Sequence, residues 1–546
     1  MGLRESLARQ AARSRKKFLA ALEGGRNTQD AFLTEVLEKN RKASFGVEHD
    51  FDKLGSVDEF RSAVPIRHYP ELSPWIERSA AGESKVLTEE EPIRFWKTTG
   101  TTSEPKKIPV TPSSSARTME SFLALQGTQL HYYPELNERR DTTLVTHVSP
   151  KTVREFLGPR EVPYCSTTEV PVVIRAGREN FVAPWMPGLQ QVVEDDAVRL
   201  YYLLCYAAAH DLKCVACLHP SRFQTIISTL HESGERVVEE LRSGTVLGEP
   251  CREPHPEKAN RLQEILKSKG QLGPRDLWPN LSLVTSWSGS YISRYRPTIE
   301  ENFCSNFLPM PSISSEAFTT LTIDDDPIGQ PINLPANLFE FIPSEQQVEP
   351  GSETLLFHEL QPGATYELVL TTLGGLYRYA TCDIFRVVGY VGEVPRLEYV
   401  GRRSVSDLTG EKLAEEHVAD SVPEALKGHE LDNSPFTVCG LQAAGAEDRP
   451  KYVLIVENRE ETPKGLANDL DQRLKAINSR YELKRNFGDL HPLEVVRVLP
   501  GTFAGYRREQ AEAGLPAGQI KDKILHPNGE ETLASLLRLS ESGAGV

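Results

Sequence analysis

Apolar side chains recur at helical spacing through QDAFLTEVLEKN (residues 29–40), and the opening fifty or so positions predict helices. Turn residues and prolines then break the pattern as far as residue 95. Between residues 195 and 240 the pattern predicts a helix, the short apolar strand CVACL (214–218), and a second helix. LSLVTSW (281–287) is apolar enough for a buried strand running into Gly289. From Phe339 to Val400 strands dominate: NLFEFIP, TYELVLTT, FRVVGYV and RLEYVG, each bounded by turn residues. After Gly401-Arg402-Arg403 the rhythm changes to a strand (KYVLIVEN), a helix (LANDLDQRLKAINSRY), a strand (LEVVRVLP) and a helix closing on Gly514. This alternation predicts an α/β protein: a large N-terminal domain (1–402) of β-sheets flanked by helices with a strand-rich lobe, and a small C-terminal α/β domain (403–546). No internal repeat is present, and the only low-complexity stretch is the tail SESGAGV.

Composition narrows the classes. The chain of 546 residues is 39% apolar and 25% charged, as in ordinary soluble proteins. A net charge of −15 argues against sequence-independent nucleic-acid binding, which needs a basic face. The most apolar stretch, LYYLLCYAAA (200–209), is too short to span a bilayer, so no membrane partner is expected. MGLRES fits the loose myristoylation pattern and RSRKK is a basic run, but a solvated helix face accounts for the latter. Eight cysteines in so long a chain form no disulfide framework, and the lone C-x-x-C at Cys214 and Cys217 lacks a second ligand pair, so buried apolar cysteines are expected. These features point to a reduced, cytoplasmic protein. Monomer or weak dimer is the expected state.

The densest chemistry lies in FWKTTGTTSEPKKIPVT (95–111). Thr98, Thr99, Gly100, Thr101, Thr102 and Ser103 concentrate hydroxyl and backbone N–H donors, and Gly100 accepts either sign of φ, so successive N–H groups can turn towards one anion. Lys106 follows as a mobile point charge suited to phosphate. The Walker pattern fails because Pro105 stands where it needs glycine, and G-x-G-x-x-G is absent. From the residues alone, a threonine-rich turn and a phosphate cradle both stand. Asp324-Asp325-Asp326 reads as a solvated turn before Pro327 and Gly329. In Phe339-Glu340-Phe341, inward aromatics flanking an outward charge account for the pattern.

The same loop resembles that of adenylate-forming enzymes: hydroxyl-hydroxyl-Gly-Thr-Thr, a spacer, then Pro-Lys. Four further segments match in order: FRSAVPIRHYPELSPWIERSAAGESKVLTEEEPIRFWKTTGTT, LWPNLSLVTSWSGSYISRYRPTIE, YELVLTTLGGLYRYATCDIFRVVGY and LPGTFAGYRREQAEAGLPAGQIKDK. Together they resemble, over nearly the whole chain, the auxin-responsive Gretchen Hagen family of acyl acid–amido synthetases, and this chain looks like a bacterial-type member. The resemblance implies an adenylate-forming N-terminal domain and a mobile C-terminal domain hinged near Ser404. It carries the family's Ser-Ser-Glu motif onto Ser314, Ser315 and Glu316, with the glutamate helping to hold magnesium. The ribose-binding aspartate falls on Asp383, the arginine before the hinge on Arg402, and the lysine of the C-terminal domain on Lys521. ATP and magnesium are the implied cofactors, and a small-molecule carboxylic acid and an amino acid the implied substrates. The chain departs from the family at Ser312, where an aromatic is usual, at Ala380-Thr381-Cys382, and at Glu104 beside the loop.

The implied activity is a ligase that adenylates an acid and passes the acyl group to an amine. Catalysis would fall to Lys521, Glu316 and Lys106. An acyl-CoA ligase using the same adenylate is the alternative, and Ser312 and Ala380 keep a non-catalytic nucleotide binder open.

Overall fold

The computed structural model describes residues 3–98, 105–138, 142–146, 155–167, 196–289, 295–326, 328–403, 405–443, 448–513, 520 and 522–542. The chain divides into two compact units. One draws on Met1–Ser288, Arg296–Thr381 and Arg386–Glu398, the other on Gly289–Tyr295, Cys382–Phe385 and Tyr399–Val546.

The first unit opens with helices α1 (Leu3–Gly24), α2 (Arg26–Asn40), α3 (Ser44–Glu48), α4 (Val57–Ala63) and α5 (Tyr69–Ala80), as the apolar spacing predicts for this region. Strands β1 (Arg94–Lys97) and β2 (Lys107–Val110) form an antiparallel hairpin with Lys97 opposite Lys107. Helix α6 (Pro112–Tyr132) follows at once, capped by Thr111 and Ser114, which bond each other's backbone N–H groups. Helices α2–α5 and the hairpin share one core: Phe32, Phe45, Phe60 and Ile76 pack with Phe95, Ile108, Tyr377 and Tyr379.

Three larger sheets serve this unit. The hairpin extends through β5 (Val162–Cys165) to β4 (Phe156–Leu157) in the order β2-β1-β5-β4. A second, parallel sheet orders β10 (Phe307–Pro309), β9 (Leu283–Ser286), β6 (Cys214–Ala216) and β3 (Thr143–Val145). Its neighbouring helices include Asp196–Ala208 and Ser221–Ser243, and every residue of β6 and β9 is buried, as parallel sheets require. A small hairpin of β7 (Thr245–Val246) and β8 (Glu249–Pro250) follows the second of those helices. The strand-rich lobe is a six-stranded sheet ordered β11-β16-β15-β14-β12-β13, built from Gln330–Pro331, Val394–Arg402, Tyr379–Val391, Thr365–Thr371, Leu338–Pro343 and Leu355–Leu356.

Three expectations change here. Glu340 does not face water: it is 0% exposed and its carboxylate is bound by Arg378, itself 3% exposed. Alternation along β12 marks two faces correctly, but the second face is covered as well. Strand β15 begins at Tyr379, six residues before the FRVVGYV run, because a positive φ of 65° at Cys382 interrupts the alternation. Asp324 is not simply solvated, since both its carboxylate oxygens accept from Arg396.

The second unit carries β17 (Val405–Ser406) paired with β18 (Leu413–Ala414), and a four-stranded sheet ordered β21-β20-β19-β22, from Glu494–Val498, Lys451–Glu457, Phe436–Leu441 and Leu525–His526. Its core joins Cys439, Val453, Ile455 and Val498 to Phe503 and Leu536 of the helices Thr502–Glu512 and Glu530–Glu541. The single helix expected over 466–481 is two: Leu466–Ile477 ends at Asn478, whose side chain accepts from Tyr481 N–H and starts Ser479–Phe487. None of the eight cysteines forms a disulfide, and Cys214 and Cys217 are buried as expected. Among the described residues no helix is long and apolar enough to cross a membrane.

Candidate active site

The hydroxyl-rich segment is a hairpin loop, and its neck is closed by its own ends. Thr98 N–H donates to the Lys106 carbonyl at 3.2 Å, and Lys106 N–H returns to Thr98 Oγ1 at 3.0 Å. Thr99, Gly100, Thr101, Thr102 and Ser103 lie outside the described residues, as do Glu104 and Lys521. Tyr164 Oη steadies the second arm by donating to the Pro105 carbonyl at 3.1 Å.

Three lysines crowd this neck, with different fates. Lys97 pairs with Glu155 at 2.8 Å and Lys107 with Glu77 at 2.7 Å. Lys106 has no carboxylate partner among the described residues. Its Nζ donates to Tyr379 Oη at 3.0 Å and lies 5.4 Å from the ring centroid of Tyr69 and 5.7 Å from that of Tyr379. Aromatic faces hold an ammonium without neutralising it. The result is a positioned cation at the neck of the hairpin. Sequence reasoning missed both tyrosines, although RHYPEL and LYRYATCD were both within matched segments.

The Ser314–Glu316 motif forms a tight turn. Ser314 N–H donates to the Ala317 carbonyl at 2.9 Å, while Ser314 Oγ accepts the N–H groups of Glu316 and Ala317, each at 3.2 Å. Ser315 is half-buried within it. No helix starts at Glu316, because the chain returns through the bridge of Ile313 to Phe318. Ser312, the departure from the family pattern, is tied into this turn: its N–H donates to Thr320 Oγ1 at 2.9 Å and its carbonyl accepts from Thr319 at 2.9 Å. Glu316 is close enough to Tyr69 to act on it. Burial first, then the Glu77 and Glu316 carboxylates, push the Tyr69 phenol above its ordinary range, against the N–H that Lys107 donates to it.

The remaining two predicted residues meet in the second unit. Arg402 Nε donates to Asp383 Oδ1 at 3.0 Å, Asp383 being largely buried and Arg402 half-exposed. Arg402 N–H also reaches Glu415 Oε2 at 3.3 Å. The seven described residues of the predicted site thus form two groups: Thr98, Lys106 and the Ser314–Glu316 turn in the first unit, Asp383 with Arg402 in the second.

Whether magnesium fits can be asked of Glu316. Its carboxylate accepts no hydrogen bond and meets no cation among the described residues, while its backbone is fixed by Ser314. A hard divalent cation needs such an uncommitted oxygen. The site fits.

Comparison with known proteins now bears on this geometry. Residues 14–310 match the GH3 family N-terminal domain, 332–402 the GH3 family central domain, and 416–530 the GH3 family C-terminal domain. A relative from Arabidopsis thaliana, the 4-substituted benzoates-glutamate ligase GH3.12, is 23% identical over 91% of this chain and 92% of its own. Among solved structures, the AtGH3.15 acyl acid amido synthetase superposes with a TM-score of 0.78 at 20% identity, covering 96% of each chain. A 2-hydroxyisobutyryl-CoA ligase in its postadenylation state shares the fold more distantly, with a TM-score of 0.52 at 12% identity over 94% of this chain and 91% of that one. The fold is therefore that of adenylate-forming enzymes, and the chain belongs to the GH3 family.

Proposed function

We propose that this protein is an ATP-dependent acyl acid–amido synthetase. In the first half-reaction a carboxylate oxygen attacks the α-phosphorus of ATP, the bond to the β-phosphate breaks, and pyrophosphate leaves. In the second, an amino acid nitrogen attacks the acyl carbon, a C–N bond forms as the bond to AMP breaks, and the nitrogen gives up a proton. Splitting the reaction this way replaces a poor leaving group with a good one.

The observation that carries the reading is Lys106: of three lysines at the loop neck it alone keeps its charge uncompensated among the described residues. Lys106, Thr98 and the loop donors from Thr99 to Ser103 would stabilise charge building on the phosphoryl oxygens, where fixed donors act most strongly. Glu316 would hold magnesium, which when bound shields phosphate charge. Ser314 and Ser315 would flank the nucleotide through their turn. Asp383 would accept from the ribose hydroxyls, oriented by Arg402. Lys521 would bind the acyl phosphate in a C-terminal domain (403–546) that turns about a hinge near Ser404, a position outside the described residues.

A cytoplasmic, reduced location suits a chain whose eight cysteines form no disulfide. The charge of −15 gives nucleic acid no general attraction, and a monomer or weak dimer completes the proposal.

Pyrophosphate exchange across a carboxylic-acid library, followed by mass detection of products from the hits, tests the reading. Exchange with at least one acid, and conversion of its adenylate to an amide by an amino acid, is expected. Consumption by coenzyme A instead would make it a thioester-forming ligase, and no exchange with any acid would make it a binder.

A further inference from the structure

Arg378 is a non-glycine residue with a φ of 45°, buried in the middle of Tyr377-Arg378-Tyr379. Such a conformation persists only where the surroundings over-determine it, and it clusters near working parts of proteins. Here the surroundings are dense. Arg378 Nε donates to both oxygens of Glu340 at 3.0 Å, and Nη2 adds a third bond at 2.8 Å. Nη1 donates to the carbonyls of Arg61 at 2.7 Å and Val64 at 2.8 Å. Thr354 Oγ1 closes the pair by donating to Glu340 at 2.6 Å. The backbone on either side is equally fixed: Arg378 N–H meets Thr371 Oγ1 at 2.9 Å, its carbonyl accepts from Arg67 at 3.1 Å, and Ala380 N–H returns to the Arg67 carbonyl at 2.9 Å. Tyr377 Oη is anchored on the Leu87 carbonyl at 2.7 Å. One residue after this knot comes the hydroxyl that touches Lys106 Nζ.

We infer that the buried Arg378–Glu340 pair is a positioning device: it holds the left-handed turn that seats Tyr379 Oη against Lys106, and so aims a cation that no carboxylate among the described residues compensates. The inference deepens the proposed function, resting on Lys106 as the nucleotide-facing cation. A buried ion pair is a poor means to stability alone, since well-packed apolar residues do as well or better. Its placement one residue from the hydroxyl that Lys106 Nζ meets supplies a different reason for it. Arg378 and Glu340 act through Tyr379 and touch no reacting atom.

The test replaces both partners at once, Arg378→Met with Glu340→Leu, so that neither is left as a buried unpaired charge, while Arg61, 3.8 Å from Glu340, keeps its pairing with Asp58. Glu340→Gln, which keeps the shape and drops the charge, is run in parallel and secures the test if the double variant does not fold. Affinity for ATP with magnesium is measured by calorimetry with Lys106 present and in a Lys106→Met background. The double variant is expected to weaken binding about tenfold where Lys106 is present, the scale of one charge-assisted hydrogen bond, and to change nothing further in Lys106→Met. Glu340→Gln is expected to shift in the same direction by less. Equal losses in both backgrounds, or none in either, would overturn the inference.

A second readout needs no nucleotide. Trace acylation of the free protein by an amine-reactive anhydride, read by mass spectrometry, is expected to label Lys106 faster in the variants, with Lys97 and Lys107 as unchanged internal references. Unchanged labelling of Lys106 would also sink the idea. If the native chain binds no ATP, it is the nucleotide reading that falls, and labelling alone decides whether the lock exists.

Discussion

A lysine side chain says nothing by itself about what it will meet, and the loop neck illustrates why. Lys106 and Lys107 are consecutive, yet Lys107 pairs with Glu77 while Lys106 rests on two tyrosines. Lys106→Met is expected to lower pyrophosphate exchange by about 10²–10³-fold, the usual cost of losing one donor to developing charge. Lys97→Met and Lys107→Met remove half-exposed ion pairs, so each is expected to cost no more than about 1 kcal/mol of stability and to leave exchange largely intact. Steady-state exchange rates for the three variants decide this. At this scale Lys106 was singled out by its place after the donor-rich stretch, whereas Glu316, Asp383 and Arg402 were pointed to only through family motifs. Tyr69 and Tyr379 escaped because an aromatic in a matched segment looks like core, and both do pack against or within the core. Glu340 was misread because alternation reports which residues share a face, not whether that face is covered.

Elements were more legible than residues. Helical spacing anticipated α2, and apolar runs anticipated β6, β9, β12, β14, β16, β20 and β21. The extra break at Asn478 was signalled by Asn-Ser ahead of a further helical run, a cap pattern inside what looked like one helix. Strand β22 carries a consequence that can be measured. Burial first, then the charge of Lys523, push His526 down to about 4, while its backbone bond with Lys523 opposes the shift. The folded chain therefore favours neutral His526, and the unfolded chain, titrating near 6.5, binds the proton more tightly. This contribution to stability is complete above about pH 6.5 and is lost as pH falls from there towards 4. His526→Gln is expected to flatten that part of the pH dependence of Tm. An unchanged slope between the two pH values would show that His526 does not titrate in the fold's favour.

For the whole molecule, two compact units divide one chain, and the dividing line is not a single point in sequence. Cys382–Phe385 and Gly289–Tyr295 count with the C-terminal residues although each is flanked by residues of the first unit. Composition could not foresee this, because it registers changes along the chain and not which strand a segment joins. Thiol chemistry was foreseeable from counting alone. With no cysteine in a disulfide and five of the eight buried, adding reductant is expected to leave Tm unchanged, and a fall in Tm would reveal a cross-link.

The reciprocal hydrogen bonds between Thr98 and Lys106 have an evolutionary corollary. A ring sealed at its own base is a cassette: its tip can be exchanged, lengthened or shortened while the strands below keep their pairing. Exchanges of the residues between Thr98 and Lys106 are therefore expected to leave the β1–β2 pairing intact, and grafted segments should be accepted here more readily than at a loop whose ends are held only by distant side chains.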